Sequence, residues 1–396
     1  MLEEVKIGVG VAAAATFFAL ANPAEAGIAD WNVTPLSADL DGWLGTLGGQ
    51  ADAALYASDQ PGGLGRAGTT GNLQLDGKLE RLFDNGWNVS LHTSFEAWHD
   101  RLSGDNYGND VIQKLYGSLL IKYGRFEIGQ EDGAAYKMAI TGPLVAEAPA
   151  IDDANMSFFK TPDGEAFTDF FDVRTGVFAS QNFAKFSYYS PRLFGIQIGA
   201  SYTPHMAKDV LPFLSAGPHV ADRQHNMMEG AANWEHHSGA WTLGAYGGLA
   251  LAWNAARTSG HGNLYDGAVG WQAQYNFGEE TLAVGGAYHQ SNAYGFDPGN
   301  AFARGETQAV HLSSTLTSGP WIFGLEYSDG IAGAQGAAPR LDAKGYETAV
   351  GYQLNSSMQL TAGFQQLDDR QSIGTFYNGK PHIRMNAGFL EFNFHV

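Results

Sequence analysis

The stretch Gln113-Lys-Leu-Tyr-Gly-Ser-Leu-Leu-Ile-Lys122, a turn at Tyr123-Gly124, and the return Arg125-Phe-Glu-Ile-Gly-Gln130 decide the fold. In the first arm Leu115, Gly117, Leu119 and Ile121 share one face, while Lys114, Tyr116, Ser118 and Lys122 share the other. That period of two describes a strand with one oily and one largely polar side. About fifty residues without such alternation follow, rich in carboxylates. A second hairpin then appears: Phe183-Ala-Lys-Phe-Ser-Tyr-Tyr189, a turn from Ser190 to Gly195, and Ile196-Gln-Ile-Gly-Ala-Ser-Tyr202. A compact domain rarely holds so long an insertion unless the insertion is functional.

The same rhythm runs outward in both directions. Leu73, Leu75, Gly77 and Leu79 alternate with Gln74, Asp76, Lys78 and Glu80. Asp84-Asn85-Gly86 signals a tight turn. Val89, Leu91, Thr93 and Phe95 then alternate with Ser90, His92, Ser94 and Glu96. Beyond Tyr202, strands are expected at Met228–Trp234, Trp241–Leu251, Val269–Phe277, Leu282–His289, Glu306–Leu316, Trp321–Tyr327, Tyr346–Leu354, Met358–Leu367 and Met385–Val396. Short turns and long loops join them alternately. A soluble sandwich or propeller gives no reason for that alternation.

In lipid the backbone has no water to bond, so a sheet must close on itself. Strands of about nine to eleven residues, apolar outside and polar inside, describe an all-β fold: a closed antiparallel transmembrane β-barrel of about sixteen strands. Trp87, Trp241, Trp321 and Phe277 sit beside short turns, and Tyr188, Tyr202, Tyr275, Tyr288 and Tyr327 near strand ends, as interfacial girdles require.

Composition narrows the function classes. The 396 residues include 52 glycines, and only 16% are charged, a low share for a soluble surface. The absence of cysteine excludes disulfides, thiolate zinc sites and cysteine nucleophiles. A formal charge of −19 argues against a nucleic-acid partner, because phosphate attracts the opposite sign. Residues 1–26 are expected to be a secretory signal peptide, with an apolar Ile7 to Leu20, a break at Pro23 and the small-residue site Ala24-Glu25-Ala26. Its start is acidic at Glu3 and Glu4. Cleavage there leaves 27–396 as the barrel domain and removes three acids and one base, taking the charge to −17.

Motifs for other chemistry fall away. Gly63-Leu-Gly65-Arg-Ala-Gly68 matches a dinucleotide fingerprint as a string, but a strand start follows where a helix is needed. His205, His219 and His225 lack close ligand spacing, and His236 and His237 point to opposite faces of a strand. Serines surround His92, yet nothing selects a triad. No cofactor, metal or catalytic residue is expected.

The chain resembles a Gram-negative outer-membrane general porin of the sixteen-stranded class across essentially its whole mature length. The resemblance rests on Tyr116 to Gln130, on Asn182-Phe-Ala-Lys-Phe-Ser-Tyr-Tyr-Ser-Pro191 and on the aromatic terminal strand. It implies short periplasmic turns, long extracellular loops and a third loop folded into the lumen, a role the acidic insertion matches by position. Two features depart from the pattern. The last residue is Val396 rather than phenylalanine, and the loop lacks the Pro-Glu-Phe-Gly-Gly motif of enterobacterial members.

The insertion carries nine acids, among them Asp152, Asp153, Asp163, Glu165, Asp169 and Asp172, against Lys137, Lys160 and Arg174. These six acids are candidates for a pore constriction. Lys78, Lys114, Lys185 and His92 are inward by parity and are candidates for the facing wall. Opposed charges would set a transverse field across the narrowest point. The function expected is passive diffusion of small hydrophilic solutes and ions with a mild cation preference. The alternatives are a substrate-specific channel, such as one for sugars, and a barrel-borne hydrolase; Trp98, Tyr116 and Tyr189 face inward but form no obvious aromatic line. Expected partners are outer-membrane lipid and lipopolysaccharide, and two further copies in a homotrimer packed through small outward residues (Ala51, Ala53, Gly77, Ala97).

Overall fold

The structure, a computed structural model, describes residues 34–99, 112–146, 149–152, 158–160, 162, 175–205, 225–253, 263–292, 306–333, 340–372 and 374–396. The expected signal peptide lies outside these residues. One sheet holds all the strands. A short β1 (Leu36–Asp39) precedes β2 (Leu44–Asp59), β3 (Ala67–Leu82), β4 (Asn88–His99), β5 (Ile112–Ile121) and β6 (Gly124–Gln130). After the insertion come β7 (Ala184–Tyr189), β8 (Ile196–His205), β9 (His225–Ser238), β10 (Trp241–Trp253), β11 (Leu264–Phe277) and β12 (Glu280–Ser291). The chain ends with β13 (Thr307–Ser318), β14 (Trp321–Ala332), β15 (Leu341–Asn355), β16 (Met358–Gln371) and β17 (His382–His395).

Every neighbour from β2 to β17 pairs antiparallel, and β17 returns to β2, with His395 opposite Gln50 and Asn386 opposite Asp59. Sixteen strands therefore form a closed ring. β1 pairs with the start of β2, Leu36 opposite Leu47, and extends the line of β17 beyond its end. Val396 joins that seam through reciprocal bonds with Gly49, at 2.9 and 3.2 Å. Closure leaves no backbone edge to meet lipid.

The hydrophobicity is inside out. Leu91, Phe126, Ile198, Leu249, Val269, Leu312, Leu325, Phe364 and Leu390 point outward and stay exposed. Asp52, Ser90, Ser118, Ser187, Asn233, Thr315, Gln365 and Glu391 point inward and are buried. A soluble protein rarely exposes so continuous an apolar band. Aromatic pairs frame the band: Trp241 on Tyr275 (4.6 Å) and Trp321 on Tyr352 (4.7 Å) beside short turns, and Tyr327 on Tyr346 (5.1 Å) toward the long loops.

Several strands run further than their sequence pattern indicates. β14 continues to Ala332, β15 begins at Leu341 and β17 begins at His382. In these extensions the alternation inverts. Leu341, Ala343 and Ile383 face inward and are buried, as do Leu367 and Met385 at the adjoining ends of the expected strands, while Asp342, Lys344, Arg370 and Arg384 face outward. The expectation of a polar inner wall is therefore corrected for the tops of β15 to β17: above the apolar band, apolar residues line much of the inner wall there because protein covers them.

Candidate pore wall and constriction

The insertion between β6 and β7 supplies that cover. It begins with one helical turn, α1 (Ala134–Lys137). The α1 backbone bonds wall side chains: Ala134 N–H donates to Ser201 Oγ (2.8 Å) and Ala135 N–H to Glu229 Oε2 (3.1 Å). The chain then skirts the inner wall. Asn233 donates to the Met138 carbonyl (3.1 Å), and Gln359 donates to the Val145 carbonyl (2.9 Å). Gln365 donates to the Pro149 carbonyl. Lys160 and Gln60 exchange two bonds of 3.1 Å, which brings the insertion to β2. Phe158 stacks between Tyr56 (5.0 Å) and Phe389 (5.2 Å).

Glycines clear the track. A Cβ at Gly270 would lie 2.0 Å from the Ile140 carbonyl oxygen, and one at Gly324 would lie 2.2 Å from Val145 Cγ2. The return leg is held in the same way. Asp266 accepts from the N–H groups of Phe178 and Ala179, at 2.9 and 2.8 Å. Asn182 donates to the Gln113 carbonyl at 2.6 Å.

Among the described residues the insertion covers the inner faces of β8 to β17 and the top of β2. The strip it leaves open runs over β2 to β5, where Gln74, Asp76, Lys78, His92, Lys114 and Tyr116 line a cavity. Three of the four expected wall bases lie here. Lys78 pairs with Glu80 at 2.8 Å, and Lys114 pairs with Asp132 at the root of the insertion. His92 lies flat on Tyr116, ring centroids 4.6 Å apart, with Nε2 2.8 Å from Ser90 Oγ.

Two cations that parity alone did not single out complete the strip. Arg125 pairs with Glu127 at 3.0 Å and covers the Tyr189 ring. Lys137 bridges Glu127 (3.0 Å) and Glu131, over the rings of Tyr116 and Tyr189. In each pair the base is the more exposed partner: the Arg125 side chain is 43% exposed against 3% for Glu127. Burial pushes the Glu131 carboxyl above its ordinary range, and the charge of Lys137 works against that rise.

Two expected site residues sit elsewhere. Lys185 is inward as parity requires, but only 1% exposed, so it does not line open water. Its Nζ donates to the carbonyls of Glu131, Ser180 and Gln181. Asp152 is also buried and accepts from Thr175 N–H (2.8 Å) and Oγ1 (2.7 Å), tying the outgoing leg to the returning one. Asp153, Asp163, Glu165, Asp169 and Asp172 lie outside the described residues. The anchors Glu229, Asp266, Gln359 and Gln365 were legible in the sequence only as inward polar residues, with no sign of what would cover them.

A closed sixteen-strand barrel with an insertion bound along its inner wall matches a known family model. The model of the Gram-negative porin family aligns with residues 10–372. The chain belongs to that family. Solved structures similar to this porin include the anion-selective porin from Comamonas acidovorans, at 15% identity and a TM-score of 0.59, covering 89% of this chain and 100% of that one. In-vitro folded OmpT, an outer membrane protein of Vibrio cholerae in its trimer form, aligns at 13% identity and a TM-score of 0.53, covering 89% and 99%. A mutant of the Rh. blastica porin aligns at 17% identity and a TM-score of 0.50, covering 89% and 100%. At such identities the likeness concerns the fold. No curated protein matches this porin's sequence. Family and barrel together place it in the outer membrane.

Proposed function

We propose that this porin is a water-filled channel through which small hydrophilic solutes and ions diffuse passively, with no catalytic step. The observation that carries the reading is the path of the insertion. Its described residues are bonded to the inner wall around most of the circumference and leave the charged strip of β2 to β5 open. A barrel of this size has a lumen wide enough for water beside such a loop. A sugar-specific reading gains little support from the described aromatics, since Tyr116 is stacked under His92 and Tyr189 is buried beneath Arg125 and Lys137. Proteoliposomes tested with neutral sugars of rising mass should swell at rates that fall smoothly with size. Saturation by one sugar would replace passive diffusion with a specific site.

Selectivity is proposed to favour cations mildly. The overall charge of −19 and the acids of the insertion support this, and charges at a narrow constriction are screened less than exposed ones. A second reading, anion preference, is favoured by one observation: along the open strip the bases are more exposed than their acids. Replacing Asp153, Asp163 and Glu165 by Asn or Gln should shift the zero-current potential in a salt gradient toward anions. An unchanged potential, together with a cation-ward shift for Lys78→Gln with Lys114→Gln, would establish the second reading.

The porin is also proposed to assemble as a homotrimer through β2 and β3, where Ala51, Ala53 and Gly77 offer a thin outward face. The trimer form of the Vibrio cholerae structure supports that arrangement. Migration at the mass of one chain on an unheated gel would refute it.

A further inference from the structure

Histidine spacing along the chain marks no metal site, but the sheet brings together residues that the sequence keeps apart. His205 ends β8 and His225 begins β9, on the two sides of the 206–224 connection. The ladder sets them directly opposite each other. In the described ladders every other histidine faces a different kind of residue. His237 stands opposite Thr242, for example, and His311 opposite Ser328.

Directly opposite positions of an antiparallel pair carry their Cβ atoms about 4.5–5.5 Å apart. Two imidazoles based at that separation can share one ion held at about 2.0–2.1 Å from each ligating nitrogen. The backbone is irregular at this point, in a way that spares the histidine pair. Against β10, Met228 pairs with Leu251 and His225 with Trp253, so β9 carries one residue more than its neighbour there. Asn226 takes up the difference in the left-handed region, at φ +53°, and the Tyr202 hydroxyl donates to its Oδ1 at 2.7 Å. Against β8 the count stays even: Thr203 pairs with Met227 and His205 with His225. Bulges of this kind recur beside functional sites.

We propose that His205 and His225 form a binding site for a divalent transition metal of the zinc, nickel and copper class at the long-loop rim of the barrel. Imidazole suits these ions, whereas calcium and magnesium require oxygen ligands. Among the described residues no group of three histidines or carboxylates could hold a metal, so the proposed site has two protein ligands and completes its shell with water. The formal charge of −19 draws cations toward the chain. A metal held between β8 and β9 staples the two ends of the 206–224 connection, and its binding appears as added stability. The proposal needs no conductance, so it stands or falls apart from the channel reading.

The test uses the full chain, purified without a histidine tag in an uncharged detergent and titrated with zinc chloride. Calorimetry should count one zinc per chain, and zinc should raise the thermal midpoint. Calcium and magnesium at the same concentration should do neither. His205→Ala and His225→Ala should each weaken zinc binding by roughly 100-fold, because a two-point grip becomes a one-point grip. His237→Ala, at the short-turn rim, should bind zinc like the unchanged protein. Copper supplies a readout that needs no variant. Bound Cu²⁺ should show coupling to two imidazole nitrogens in its electron paramagnetic resonance spectrum. Coupling to one nitrogen, or to none, would overturn the proposal even if both variants fail to fold. Equal binding of zinc and calcium would assign the ions to surface carboxylates and overturn it as well. Undiminished zinc binding by a correctly folded His205→Ala or His225→Ala would do the same.

Discussion

Lys185, on the inner wall of β7, donates from its Nζ to the backbone carbonyl of Glu131 at the start of the insertion. The same nitrogen reaches the carbonyls of Ser180 and Gln181 at the insertion's other end. One buried ammonium therefore gathers both ends of the loop that shapes the pore. Acceptance by backbone carbonyls, rather than by one carboxylate, makes Lys185 a structural clamp.

Lys185→Met keeps much of the side-chain length and removes every donor. The orphaned carbonyls should cost about 1.5–3 kcal/mol, the usual range for hydrogen bonds to a charged group. The urea midpoint should fall while the barrel still closes, and single-channel current should become noisier as the ends of the loop loosen. Unchanged stability together with unchanged noise would mean that Lys185 clamps nothing.

The glycine track gives a sharper comparison. Gly270→Ala places a methyl group on the Ile140 carbonyl, a backbone atom that cannot rotate away. Overpacking of this kind costs about 1–3 kcal/mol, and here the easiest relief is displacement of the loop. Gly230, outward on β9, has nothing within 4 Å of an added Cβ. Gly270→Ala should change the unitary conductance and Gly230→Ala should leave it unchanged. Equal effects would show that the loop does not depend on the track.

Much of this fold can be read directly from alternation. Leu115 against Lys114, and Leu75 against Asp76, place their side chains on the correct faces, and Asp84-Asn85-Gly86 marks its turn, with Gly86 at φ +80°. Reading stops where the environment changes. At Leu341, Ala343 and Ile383 the apolar side turns inward, because the strand has risen above the hydrocarbon and Phe158, Phe159 and Ile151 cover it from within. A rule built for lipid outside and water inside assigns those segments to loops. The site was partly legible for the same reason. Parity found Lys78, Lys114 and His92 on the open strip, and it put Lys185 on the same face without revealing the loop packed over it. Asp152 looked like a pore acid, but its partner Thr175 is 23 residues away and no local pattern pairs them.

Glu131 should make selectivity depend on pH. Its carboxyl is raised by burial, so on acidification it takes up a proton above the ordinary carboxylate range. Protonation removes the negative partner of Lys137 and leaves that base held by Glu127 alone. As pH falls through this window the zero-current potential should move toward anions, and raising the pH should reverse the movement. Glu131→Gln should abolish the early part of the shift. The same shift in Glu131→Gln as in the unchanged protein would place the pair away from the ion path.

Planar-bilayer recording tests the central claim, that the insertion narrows this barrel without closing it. Purified protein added to one chamber should produce stepwise, ohmic increases in current, each step proportional to the salt conductivity. A membrane that stays silent although the protein has inserted as a folded barrel would contradict the account.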